Sequence, residues 1–488
     1  MMYGHGKSDR SVVPRKPANK ADKAAERVEE RDLTKGILQE QNTRRTQSRV
    51  SVSNALERIR QVSKNDKRTR FTSLYHHICR TDALRNAFYR LKRSAKPGID
   101  GQTWEAYRAK LDENLENLSS RLRKQAYKAS PVRRVFIPKA DGSQRPIGVT
   151  TLEDKLVQVA TVAVLNAVYE PLFVGFSYGF RPGRNQHDAL DAVHVGINKR
   201  KVKWVLDADI RGFFDTINHE HLMRLIEHKI VDPRVTRLIQ KWLKAGVLTE
   251  EGHTESEIGS PQGGSVSPVL GNIYLHYAYD NWALKWRKEK AKGDAIFVRY
   301  ADDSIAGFQH RADALGFLTE LRSHFRHFGL ELHAEKTRIL EFGRYANENR
   351  KERNMRRAET FEFLGFTHIC GCSRAGEFQL QRQTSGKRMT RKLREVKVTL
   401  WKRMHHTIPE VGSWLASILR GHYEYFAVPL NYRAISSFRN AILRLWHQTL
   451  KRKSQKAKVT WERMSQLAKR WLPKPRIVHP YPNQRLAV

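Results

Sequence analysis

The sequence predicts an α+β fold, on three observations. Short runs of β-branched and aromatic residues, broken by polar turns, occur at Val132 to Val149, Lys203 to Ile210 and Ala295 to Phe308; such runs read as strands and hairpins. Between them, apolar residues recur at helical spacing, so strands alternate with helices as in an α+β or α/β core. Beyond residue 367 the apolar positions are helical and the charge turns strongly basic.

Residues 1–53 are rich in charged and small polar residues with almost no periodic apolar positions, which predicts a disordered basic arm. From 54 the pattern becomes helical, with Leu74, Ile78, Leu84, Phe88 and Leu91 on helical spacing. A turn at Pro97-Gly98-Ile99-Asp100-Gly101 leads to a second helical stretch through Trp104, Tyr107, Leu111, Leu115, Leu118 and Leu122. Val132 to Pro138 alternates basic with apolar residues, Asp141-Gly142 punctuates, and Arg145-Pro146-Ile147-Gly148-Val149 follows; this reads as a basic hairpin. Helices are expected through Leu156 to Leu165 and over His219 to Ile230. Between these two helices, Lys203 to Ile210 begins as an apolar strand and ends in acids.

From residue 367 to the end there are 25 Lys and Arg against 5 Asp and Glu. Met389, Leu393, Val396, Leu400 and Met404 form one stripe; Trp414, Leu415, Ile418, Leu419 and Tyr423 a second; Ile435, Phe438, Ile442, Leu445 and Trp446 a third. Three amphipathic helices with basic outer faces can pack as a bundle over 367–472 that grips a phosphate backbone. Residues 473–488, opened by Pro473 and Pro475, are expected to be a short tail.

Composition narrows the partners. The chain has 488 residues, 40% hydrophobic, enough for several domains with sizeable cores. Lys and Arg number 90 against 50 Asp and Glu, a net charge of +40, so the natural partner is a polyanion. No apolar run reaches the roughly 18 residues of a spanning helix, and the first residues have no apolar signal-peptide region; no membrane partner is expected. Cys79, Cys370 and Cys372 make no disulfide framework and no zinc spacing. A cytoplasmic protein, nucleoid-associated if bacterial, is the expectation. The absence of a Gly-rich loop ending in Gly-Lys-Ser/Thr argues against a P-loop NTPase.

The chemistry is concentrated at Tyr300-Ala301-Asp302-Asp303, where two adjacent carboxylates sit at a turn between two apolar runs. Two neighbouring carboxylates repel, and a divalent cation that prefers oxygen ligands turns that cost into attraction. Phosphoryl transfer with two metal ions about 4 Å apart needs a further acid from another strand. Asp209, at the end of its strand, is the candidate.

Asp209 with Phe214 five residues on, then Pro261-Gln262-Gly263-Gly264, then Tyr300-Ala301-Asp302-Asp303, resembles the reverse transcriptases in kind and order. Lys96 to Gly101, Ile137-Pro138-Lys139 through Arg145-Pro146-Ile147-Gly148, Tyr178 to Arg184, Glu335-Lys336-Thr337 and Phe363-Leu364-Gly365-Phe366 narrow this. They are similar to the reverse transcriptase/maturase proteins encoded by bacterial group II introns, over about residues 54–480.

The resemblance implies a right-hand polymerase, with an N-terminal extension and fingers over 54–200, a palm over 201–366 and a helical thumb, or maturase domain, over 367–472. Asp209, Asp302 and Asp303 would bind two Mg²⁺, with Mn²⁺ as a substitute, and the carbonyl of Ile210 would be a further ligand. Lys139 and Arg145 would contact the incoming nucleotide's triphosphate. Phe214 would sit under the sugar and reject a 2′-hydroxyl; the bland alternative is a core aromatic. Gln262 would reach the nucleotide and template, its glycines allowing close backbone approach, and Lys336 would act near the pyrophosphate. Phe363, Leu364, Gly365 and Phe366 would form the primer grip. Asp207 and Asp215 are assigned no ligand role, on the expectation that alternation leaves them facing differently from Asp209 or farther off.

The implied partners are intron RNA, an RNA template with a DNA primer, deoxynucleoside triphosphates and target DNA. The implied function is RNA-directed DNA polymerisation, assistance to splicing and copying of the intron during its mobility. The sixteen residues after Leu472 lack the histidines and cysteine pairs of a nuclease module, so no endonuclease domain is expected. The alternatives are a reverse transcriptase of a retron, diversity-generating or CRISPR-associated system, and an RNA splicing cofactor that no longer polymerises. Loss of any of the three acids would have favoured the last.

Overall fold

Four antiparallel strands form the central sheet, in the order Ala295–Tyr300, Asp303–Phe308, Trp204–Asp209, Arg338–Glu341. The computed structural model describes residues 35–138, 144–249, 252–254, 259, 263–453 and 459–485. Side chains alternate across this sheet and feed two cores. Leu206, Ala208, Phe297, Ala306 and Phe308 face one core, with Phe317 of helix Arg311–Arg326 and the helices of the N-terminal half. Val205, Val298 and Ile305 face the other, against Ala189, Val193 and Ile197 of helix Gln186–Lys199. A sheet covered on both faces explains why its strands read as near-continuous apolar runs.

The basic hairpin forms as its sequence predicts. Val132–Pro138 pairs antiparallel with Gln144–Val149, and Val247–Thr249 adds in parallel to the first strand. A third sheet is built from Phe361–Phe363, Phe366–Cys372 and Phe378–Thr384. Four helices, Gly386–Lys402, Ile408–Phe426, Tyr432–Arg452 and Trp461–Trp471, close around a separate core of Val396, Leu400, Leu415, Leu419, Ile435, Phe438, Ile442 and Trp446. The second of these starts with a capping box, Thr407 and Glu410 bonding each other's backbone amides.

Three expectations are corrected. The predicted disordered arm 1–53 is helical from residue 35, as the start of helix Lys35–Asn65; residues 1–34 lie outside the described residues. Ala55 and Ile59 of that helix are buried, Leu56 is half-buried against the core, and Ser63 bonds the Val168 carbonyl at 2.6 Å. Once the packed half pays the nucleation cost, each added residue gains a hydrogen bond, and residues 37–65 contain neither Gly nor Pro to stop it. The helical bundle begins at 386, not 367, because Phe366, His368 and Cys370 are buried at period two and make a strand. The segment after Leu472 is no loose tail: Val478 and His479 donate to the Ala427 carbonyl at 3.0 and 3.2 Å, and Arg485 reaches Asp188 at 2.7 Å.

Candidate functional site

Asp209 and Asp303 are direct cross-strand partners, at the ends of their strands. Tyr300 pairs with Asp303, so Ala301 and Asp302 form a two-residue turn, with Ala301 in the left-handed region at φ 57°. For a non-glycine residue that conformation needs support, and the support is visible. The buried guanidinium of Arg299 donates to the Ala301 carbonyl at 2.9 Å, to Asp280 at 2.7 and 2.6 Å, to Asn272 at 3.1 Å and to Ser177 at 2.7 Å. Gly179 lies against the turn so closely that a Cβ there would stand 2.3 Å from the Ala301 nitrogen. Asn272 ties the Gly179 carbonyl to this network at 2.7 Å. The Tyr178 to Arg184 motif therefore braces the acidic turn. Its Arg181 is buried on the carboxylate of Glu170 and the carbonyls of Val174 and Ser177.

The electrostatics are those of crowded acids. Asp303 keeps solvent access at its strand end, yet the surrounding protein, followed by the charges of Asp302, Asp209 and Asp207, pushes its carboxyl up to about 7. Burial raises Asp207 to about 6, with Asp209 and Glu362 adding to the rise and Arg338 opposing it. This corrects the expectation for Asp207: residues two apart share a strand face, so it stands with Asp209 and pairs across the sheet with Arg338. Like charges placed opposite one another cost stability. Cations relieve part of it, since the Lys336 ammonium is 2.8 Å from Asp209 and the Arg388 charge acts on Asp303.

The donor set of Asp209, Asp302 and Asp303 fits hard divalent cations by chemistry and by the unfavourable acid pairing they would relieve. Among the described residues, however, no group of three His, Cys, Asp or Glu is already closed to metal-ligating distance. Ile210 follows Asp209 directly and its side chain is buried; the backbone here is pinned by His333 donating to the Asp209 carbonyl at 2.8 Å and Arg211 donating to the Glu331 carbonyl at 2.8 Å.

The remaining sequence candidates divide. Lys139 and Gln262 lie outside the described residues, and of Arg145 only the backbone is described, opposite Ile137 in the basic hairpin. Gly263, at φ 112°, would place a Cβ 2.5 Å from the Gly148 carbonyl; the close approach it permits is to that hairpin. Phe213 is core, and Phe214 is half-buried with its ring centroid 5.0 Å from Phe213. Phe363 and Phe366 flank a turn at Leu364 and Gly365, both at positive φ. Their side chains face inward, and Arg388 lies beside Gly365. The turn is tied to the helical bundle by Tyr425 donating to the Leu364 carbonyl at 2.7 Å.

Sequence reasoning missed Arg299, Asp280, Arg338 and Arg388. The one available signal was Arg299 itself, a charge inside an apolar strand, which only a buried partner tolerates.

Residues 137–368 match the reverse transcriptase (RNA-dependent DNA polymerase) family. The group II intron-encoded protein LtrA of Lactococcus lactis subsp. cremoris is 35% identical over 271 residues, covering 53% of this chain and 44% of that protein. Protein YkfC of Escherichia coli is 32% identical over 242 residues, 44% of this chain and 64% of that protein. An uncharacterized 91 kDa protein in a cob intron of Schizosaccharomyces pombe is 43% identical over 162 residues, 33% of this chain and 20% of that one. The chain thus spans less than two thirds of each of these relatives. Among the described residues no helix is long and apolar enough to cross a membrane.

Proposed function

From the match of residues 137–368 to the reverse transcriptase family and the similarity to a group II intron-encoded protein, we propose that this chain is an RNA-directed DNA polymerase that binds its intron RNA, assists its splicing and copies it during mobility. The observation that carries the polymerase reading is the register that sets Asp209 opposite Asp303 beside the Asp302 turn, inside the matched domain. Its partners would be intron RNA, an RNA template with a DNA primer, deoxynucleoside triphosphates and target DNA, in the bacterial cytoplasm.

Asp209, Asp302 and Asp303 would hold two Mg²⁺, with the Ile210 carbonyl as a further ligand. Bound there, the ions would supply activation of the primer 3′-hydroxyl and neutralisation of charge on the leaving pyrophosphate. The protein's own part is positioning. Arg299 holds the turn that presents Asp302 and Asp303. Lys139 and Arg145 at the basic hairpin would meet the triphosphate, Gln262 the nucleotide and template, and Phe214 the sugar. Lys336 would release Asp209 and turn to the pyrophosphate. The Phe363 to Phe366 turn would seat the primer end, and the four-helix thumb would grip the duplex backbone. Lysines and arginines of the thumb also suit intron RNA, which supports the maturase role.

The test is replacement of Asp302 and Asp303 by Ala, assayed by primer extension on an RNA template and by RNA binding. Extension should vanish while binding persists. Undiminished extension would overturn the assignment.

A further inference from the structure

Helix Pro233–Lys244 buries Val235, Leu238, Ile239, Trp242 and Leu243 and turns Arg237, Gln240, Lys241 and Lys244 outward. Arg237, Lys241 and Lys244 are spaced by four and three residues, so they fall on one face of the helix. Beside them runs the segment leading into the basic hairpin, with Lys128, Ala129 and Pro131. Together they line an open groove of about 480 Å³.

Among the described residues no carboxylate lies within ion-pair distance of Lys128, Arg237, Lys241 or Lys244. Arg237 bonds the Gln125 amide oxygen at 2.8 Å and Lys241 the Tyr127 carbonyl at 2.5 Å; both partners are neutral, so among the described residues neither charge is paired. Like charges four apart on a helix repel. The helix C-terminus favours the cations of its last turn, Lys241 and Lys244, and leaves Lys128 and Arg237 unexplained. An anion spread along the groove accounts for all four.

The groove is also separate from the far end of the basic hairpin. It lies at the root of strand Val132–Pro138, whereas Arg145, paired with Ile137, is at the other end; seven strand residues span roughly 20 Å. A triphosphate at the hairpin tip cannot fill it. Its lining holds four cations and no aromatic ring, which suits a phosphate backbone and gives bases no surface to stack on.

We propose that Lys128, Arg237, Lys241 and Lys244 form a second nucleic-acid surface, distinct from the template-primer cleft, that takes the phosphate backbone of a folded RNA helix. The assignment of RNA as occupant rests on the reading of this chain as an intron-encoded protein. Each phosphate contact releases bound counterions, so the surface should be visible in the salt dependence of binding.

The experiment compares the full chain with a variant in which Lys128, Arg237, Lys241 and Lys244 are all replaced by Gln. The probes are a labelled RNA hairpin of intron type, a DNA duplex of equal length and a short RNA template with DNA primer. For the RNA hairpin, the variant should lose about 10- to 1,000-fold in affinity at moderate salt, and its log–log salt slope should flatten by about 2 to 4. Primer extension on the short template should be unchanged. An unaltered slope overturns the proposal, as does an equal loss on the DNA duplex or on the short template-primer. Should the quadruple variant fold poorly, Lys128→Glu and Lys244→Glu alter only exposed side chains and should each weaken hairpin binding; no effect from either overturns the proposal. If the unmodified chain failed to extend primers yet kept the hairpin contrast, the polymerase reading would fall and the groove would stand.

Discussion

Arg299 and Asp280 form a two-pronged ion pair at 2.7 and 2.6 Å, with both side chains almost wholly removed from solvent. The same guanidinium holds the Ala301 carbonyl, so the strength of the pair is passed to the turn that carries Asp302 and Asp303. Removing one partner of such a pair leaves a buried charge uncompensated, at a cost of about 3–5 kcal/mol. Arg299→Met should therefore lower the free energy of unfolding by that much, read as a lower denaturant midpoint at unchanged m. Arg299→Lys, which keeps the charge and loses the fork, should recover part of the stability and little of the primer extension. Equal recovery of both would mean that the turn does not depend on Arg299.

Lys336 occupies an oxygen of Asp209, at 2.8 Å, that the proposed ions need. The Lys336 side of the pair is exposed and such a pair is worth about 0.2–1 kcal/mol, so Lys336→Met should lower the half-saturating Mg²⁺ concentration by at most about fivefold. If Lys336 also meets the pyrophosphate, the KM for the nucleotide should rise in the same variant. An unchanged KM would leave Lys336 only its ion pair.

The acids predict a pH dependence with a definite sign. The Asp303 carboxyl is raised from the usual 3.8 to about 7, so in metal-free protein the folded state holds a proton that the unfolded state releases. Stability from this group is then lost as pH rises from about 4 to 7. Asp303→Asn, which cannot ionise, should be more stable than the unmodified chain at pH 8 without metal, and the gap should close towards pH 4. Thermal melting at both pH values measures it. Saturating Mg²⁺ should narrow the gap at pH 8, because the cation favours the ionised carboxylate. A gap independent of pH would contradict the crowding of these acids.

Phe214 is half-buried beside Phe213, leaving part of its ring outward. Phe214→Ala should admit ribonucleotides, read as a fall of about tenfold or more in the ratio of kcat/KM for deoxy- over ribonucleotide, worth about 1.4 kcal/mol. Unchanged discrimination with reduced stability would return the ring to the core.

Arg485 lies 2.7 Å from Asp188 and 3.1 Å from Asp191, and Asp191 also meets Arg382 at 2.7 Å. The segment carrying Arg485 runs along helix Ile408–Phe426, so this contact ties the helical bundle to helix Gln186–Lys199, which packs on the central sheet. Arg485→Ala should shorten the products of primer extension while leaving the first nucleotide addition intact. Equal loss in both would point to general destabilisation.

Much of this was legible in the chain itself. The order of Asp209, Phe214 and Tyr300-Ala301-Asp302-Asp303, the apolar runs around them and the helical stripes of the C-terminal bundle are local patterns, and local side-chain patterning is what a sequence displays directly. The excess of basic residues is likewise a sum that needs no coordinates. Where local reasoning failed, it either misapplied the strand period, as with Asp207, or met elements whose support comes from elsewhere, as with residues 35–53 and the segment after Leu472. Only the tertiary structure decided that Asp209 faces Asp303, that Arg299 finds Asp280 and Ala301, and that Arg485 reaches Asp188 across 297 residues of sequence. Those pairings are set by how sheets and helices bury their faces together, and no residue's neighbours in the chain carry that information.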